Sequence, residues 1–116
     1  MTYLDIENLL LQYARWVRLG RERLGYPHEA AFARVIPTEL PDVPSIDDTE
    51  GERIGRAMMA LKAANRDAHT AIEARFVYGM VDDTELGRRQ GLGSRKRVWG
   101  LRQQGYSFLL GRLGRE

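Results

Sequence analysis

Phe76-Val77-Tyr78-Gly79-Met80, followed by Glu85-Leu86-Gly87-Arg88-Arg89-Gln90-Gly91-Leu92-Gly93-Ser94-Arg95-Lys96-Arg97-Val98-Trp99-Gly100-Leu101, reads as a short helix, a glycine-bearing turn with a serine cap, and a second helix opening on three cations. A helix that presents cations from its first turn, held against a short supporting helix, is the plan of a helix-turn-helix DNA reader. Two such helices cross closely, so a small residue is wanted where they meet, followed by one free to take positive φ. Gly87 supplies the first and Gly91 the second, four residues later. Leu86 and Leu92 point to the core between the helices, and Ser94 is placed to accept N–H bonds from the first turn of the last helix.

Arg95, Lys96 and Arg97 occupy that first turn, where each cation opposes the helix dipole by roughly 0.3–1 kcal/mol. Accepting this cost points to an anionic partner. Arginine can bridge guanine O6 and N7, and any of the three can hold phosphate. Arg102 and Gln103 follow one to two turns on, Arg88 and Arg89 suit phosphate contacts from the supporting helix, and Trp99 is placed to stack on or wedge near DNA. A tryptophan beside Val98 is more often partly buried core, and a Gly-x-x-x-Gly turn also joins helical hairpins that never meet DNA. The residues expected to bind DNA are thus Arg88, Arg89, Ser94, Arg95, Lys96, Arg97, Trp99, Arg102 and Gln103.

The 116 residues suffice for one compact domain, and 43% apolar content supports a packed core. With no Cys, thiolate zinc sites, disulfides and cysteine nucleophiles are excluded. The histidines, His28 and His69, form no catalytic or metal set; Glu73, four residues after His69, suits an ion pair with it. The chain is therefore read as a non-enzyme with no cofactor and no metal. It carries neither an 18-residue apolar run nor a signal peptide, which predicts a cytoplasmic protein without membrane contact. Net charge is +2 but unevenly spread: residues 35–50 hold five acids and no cation, whereas residues 82–116 hold eight cations against four acids. Such polarity suits one face toward phosphate and another toward a different partner.

Along the chain, Ile6, Leu9, Leu10, Tyr13, Trp16 and Val17 keep helical spacing from Asp5 to Leu19, with Gly20 as the stop and Arg15 and Arg18 off the apolar stripe. Ala30 to Val35 forms a helical turn, and residues 36–46, with three of the four prolines, form an extended connector. Asp47 or Asp48 caps a helix to about Asn65 with Ile54, Met58 and Leu61 inward. Asp67 caps the next, with Ala68, Ile72 and Phe76 buried until Gly79. Asp82 or Asp83 caps a short helix to Gln90, and Ser94 caps a last helix on which Val98, Leu101, Phe108 and Leu109 keep period. The expected fold is all-α: a single compact domain of five or six helices over 1–116. Residues 1–46 form an N-terminal helix and proline-rich connector, and 47–116 form a helical body with a helix-turn-helix at 83–104.

Tyr13-Ala14-Arg15-Trp16, Ile36-Pro37, Asp47-Asp48, Met59-Ala60-Leu61-Lys62 with Asn65, Asp67 and His69, and Tyr78-Gly79-Met80 leading into Leu86-Gly87-Arg88 and Gly91 occur in a set order and spacing. Over about residues 9–113 this order resembles the phage antitermination protein Q family, of the lambdoid late-gene type. The Phe76-x-x-Gly79-Met80 segment before the turn is also similar to the promoter-reading C-terminal domain of sigma factors. The resemblance implies a factor that binds a double-stranded DNA element near a late promoter and engages RNA polymerase and its sigma factor in the host bacterial cell. Such a factor travels with the polymerase past terminators and narrows the RNA exit channel so that terminator hairpins cannot form. A homodimer on paired half-sites fits the limited surface of one small reader. Arg15, Arg18, Arg21 and Arg23, spare once the reader is assigned, are the residues expected to face polymerase. The pattern's small alanine after the leucine is Gly87, and Val98 falls one position late, so either the turn is longer or Arg97 takes the apolar slot. A phage repressor or activator with a sigma-like reader is the alternative, and a helical adaptor that binds only protein is the third reading.

Overall fold

Asp47, Asn65, Asp82 and Ser94 each accept a hydrogen bond from a backbone N–H two or three residues on, and each starts a helix. The computed structural model describes residues 1–23 and 44–114, and among these five helices follow in order. They are α1 (Tyr3–Arg23), α2 (Asp48–Ala64), α3 (Arg66–Phe76), α4 (Asp83–Gln90) and α5 (Arg95–Leu113), with no strand among the described residues. The fold is all-α. The helical turn expected at 30–35 and the connector, apart from residues 44–46, lie outside the described residues. No helix among the described residues is long and apolar enough to cross a membrane.

Three expected boundaries differ. Gly20 does not stop α1, which continues to Arg23; one glycine costs a helix interior only about 1 kcal/mol and cannot end it alone. The α1 start is earlier too, at a reciprocal cap in which Thr2 Oγ1 accepts from Asp5 N–H and Asp5 Oδ2 accepts from Thr2 N–H at 2.7 Å. The cap of α3 is Asn65, not Asp67: Asn65 closes α2 through its own N–H to Leu61 O and opens α3 through Oδ1 to Ala68 N–H. A single residue thus makes the corner, and Asp67 lies within the first turn of α3. That helix ends at Phe76, and Gly79, at φ 73°, turns the chain toward α4.

α3 is the hinge of the packing because its two faces serve two cores. Ala68, Ile72 and Phe76 join Ile6, Leu10 and Ala14 of α1, Ile54, Met58 and Leu61 of α2, and Tyr106, Leu109 and Leu113 of α5. Ala71 and Ala74 join Leu86, Leu92, Val98 and Leu101 in a smaller cluster under the α4–α5 turn, to which no described side chain of α1 contributes. Trp16 lies over Gly51, where a Cβ would overlap the indole ring, and its Nε1 donates to Asp48 Oδ1 at 2.9 Å. Arg18 was expected off the apolar stripe, yet it is buried and its guanidinium donates to Val77 O at 3.0 and 3.3 Å. Beside a carbonyl left over at the end of α3, an arginine is more useful inside than on the surface. Burial lowers its pKa.

His69 is buried on α3 with Nε2 3.7 Å from Glu73 Oε2. Burial lowers its pKa below the ordinary 6.5; Glu73 works against that shift, and Lys62 and Arg66 work with it. The folded chain therefore holds fewer protons at this site than the unfolded chain. The stability it contributes is complete above about pH 6.5 and is lost as pH falls below it. Urea unfolding at about pH 7.5 and 5.5 is expected to show a drop of at most about 1.4 kcal/mol per pH unit from this group, which His69→Gln removes.

Candidate nucleic-acid interface

α4 and α5 are locked together at both ends. At the far end, buried Arg102 of α5 makes a two-pronged contact with Asp83 in the first turn of α4, its Nη2 donating to Oδ2 at 3.1 Å. Arg75 of α3 reaches the same carboxylate at 3.7 Å and donates to Val81 O. Burial acts to lower the Arg102 pKa, but the hydrogen bonds and charge of Asp83, helped by Tyr106, outweigh it and leave it raised. At the near end, Gly87 is buried where the chain returns: a Cβ there would overlap the carbonyl oxygen of Gly93 and stand 3.0 Å from Val98 Cγ2. Gly91 takes φ 68°, its N–H bonding Gly87 O, and Leu92 N–H bonds the same carbonyl at 2.9 Å. This left-handed residue closes α4 and aims the next three residues at the start of α5.

Four residues, 91–94, separate the helices, and Val98 is fully buried while Arg97 is exposed. The longer turn is therefore the correct alternative, and Val98 fills the apolar position. The inward face of α5 is Val98, Leu101, Arg102, Gly105 and Leu109. The opposite face carries Lys96, Trp99 and Gln103 at i, i+3 and i+7, with Arg95 alongside. Arg95 and Lys96 are exposed and make no ion pair with any described residue. Trp99 is 55% exposed, so it is not a core residue.

The remaining expected residues divide by what they already hold. Ser94 is the helix cap, its Oγ accepting from Arg97 N–H at 3.2 Å. Arg88 and Arg89 are exposed at the end of α4, both hydrogen-bonded to Glu85 one turn back, which holds the Glu85 pKa down. Arg97 folds back over the turn, donating to Leu92 O at 2.6 Å and to Asp67 Oδ2 at 3.3 Å, and straps the turn to α3. Arg102, expected on the outward face, is instead in the Asp83 contact, because its position one turn after Val98 faces inward. Arg15 is half-buried, and the side chains of Arg21 and Arg23 lie outside the described ones. Reasoning from sequence missed Asp83 and Asp67 as the partners that hold these arginines; their acid-before-base separation in the chain carries no local signal. Glu85 was missed too, although it stands three and four residues before Arg88 and Arg89, a spacing that does carry a local signal.

No curated protein and no solved structure matches the chain. A family model described as phage antitermination protein Q matches residues 3–113, nearly all of it, from the first residue of α1 through the last of α5. By that match, the chain belongs to the phage antitermination protein Q family.

Proposed function

We propose that this protein is a DNA-binding antitermination factor that loads onto promoter-proximal paused RNA polymerase in the host bacterial cytoplasm and lets it read through terminators. Membership of the family makes antitermination the broad role. The observation that carries the finer reading is the outward stripe of α5, with Arg95, Lys96, Trp99 and Gln103 exposed or half-exposed on a helix whose other side is tied to α4 and α3. A helix about 10–12 Å across fits a major groove about 12 Å wide, so α4, the turn and α5 act as a helix-turn-helix. Arg95 and Lys96 have no competing partner among the described residues and take the base-edge and phosphate roles; Trp99 and Gln103 contact the groove floor one and two turns on. Arg88 and Arg89 exchange an exposed carboxylate for phosphate at small cost, since solvent screens such surface pairs. Polymerase engagement belongs to the α1 side, with Arg15, Arg21 and Arg23, because no described side chain of α1 takes part in the core beneath the reader.

In vitro transcription through a terminator is the test. Added protein is expected to raise read-through on a template with the cognate late promoter; bound DNA with unchanged read-through would make it an ordinary repressor or activator. Arg95→Ala with Lys96→Ala is expected to cost about 1–3 kcal/mol in specific duplex binding, read by anisotropy, if either side chain reads a base. An equal loss on every sequence would reduce both to phosphate contacts.

A further inference from the structure

On the groove reading above, α5 has flanks on both sides, and only one of them has been assigned a role. Arg102 on one edge of α5 meets Asp83 of α4. The other edge meets the α2–α3 corner twice: Asn65 Nδ2 donates to Gln104 Oε1 at 3.0 Å, and Arg97 reaches Asp67 Oδ2 at 3.3 Å. Arg97 and Gln104 are two turns apart on one edge, and the residues preceding each, Lys96 and Gln103, lie one 100° step outward on the exposed stripe. The corner therefore stands beside that stripe. Lys62 and Arg66 are exposed there, both bear on the charge of His69, and neither makes an ion pair with any described residue.

A helix lying in a major groove has a sugar–phosphate chain on each side, and phosphate contacts from both flanks fix its register. From this geometry we infer that Lys62 and Arg66 grip the phosphates of one DNA strand while Arg88 and Arg89 grip those of the other, with α5 between them. The two pairs differ in one respect: Arg88 and Arg89 must first leave Glu85, whereas Lys62 and Arg66 have no ion-pair partner to leave among the described residues.

The test compares Lys62→Gln/Arg66→Gln with the parent full-length chain, measuring binding to a mixed-sequence duplex of about three helical turns by anisotropy across a sodium chloride series. Two lost phosphate contacts are expected to flatten the slope of log K against log salt by about 2, with circular dichroism unchanged. Arg112→Gln, about 24 Å farther along α5 than Lys96, removes exposed charge without changing the slope. A slope equal to the parent's in the Lys62/Arg66 variant, or an equal flattening by Arg112→Gln, overturns the inference. Loss of binding in Arg95→Ala/Lys96→Ala alongside either result would leave the groove reading standing; parent-like binding in that variant would remove both.

Discussion

Arg102→Ala is expected to lower folding stability by about 3 kcal/mol, or about 10 °C in Tm, read by urea and thermal unfolding followed by circular dichroism. The guanidinium is 7% exposed and its partner Asp83 14%, so removing the cation strands a carboxylate that water reaches poorly. Breaking such a pair costs about 3–5 kcal/mol, and Arg75, 3.7 Å from the same carboxylate, keeps the loss at the lower end of that range. The penalty belongs to the stranded charge more than to the lost attraction. Arg102→Met combined with Asp83→Asn is therefore expected to recover much of it, since a neutral amide is far less costly to leave unpaired than a carboxylate. A single-variant loss below about 1 kcal/mol would mean that the pair behaves as a surface contact and does not hold α4 to α5.

Gly87→Ala is expected to cost about 2 kcal/mol net and to cost more than Gly105→Ala, although both positions are buried helical glycines. At Gly87 the new Cβ meets the carbonyl oxygen of Gly93, which is backbone, so α5 itself has to move; overpacking of this kind costs about 1–3 kcal/mol or more. At Gly105 the obstacle is Ile72 Cδ1, the free end of a side chain that can change rotamer. Alanine also gains about 1 kcal/mol of helix propensity at either site, which nearly balances the Gly105 change but not the Gly87 change. Because the displaced element carries Arg95 and Lys96, Gly87→Ala is also expected to weaken duplex binding under conditions where the chain remains folded. Equal stability of the two variants would mean that α4 and α5 have slack where they meet.

Some of this was legible in the residues. Asp47, Asp82 and Ser94 begin helices because each needs only its own side chain and an N–H two or three residues away. Ile54, Met58, Leu61, Ala68, Ile72 and Phe76 are buried as their spacing required. Gly91 adopts the left-handed conformation expected of it, and Leu86 and Leu92 fill the space beneath the turn. The Asn65 cap was missed because two suitable cap residues lie two apart. The choice between them rests on a corner whose Asn65 amide is held by Gln104, 39 residues on.

The chain's own letters thus determined the helices, the caps at Asp47, Asp82 and Ser94, the small residue and turn between the last two, and the apolar faces that make an all-α globule. All of these depend on interactions within about one or two turns of helix. Tertiary structure alone decided which arginines are tied to distant partners. Arg18 is held by Val77, 59 residues away, Arg97 by Asp67, 30 away, and Arg102 by Asp83, 19 away. An arginine's surroundings are chosen by whichever acid or spare carbonyl the packing brings to it, because burying that charge is tolerated only where such a partner is already waiting. Among the described residues Arg95 and Lys96 meet no such partner and stay exposed at the start of α5.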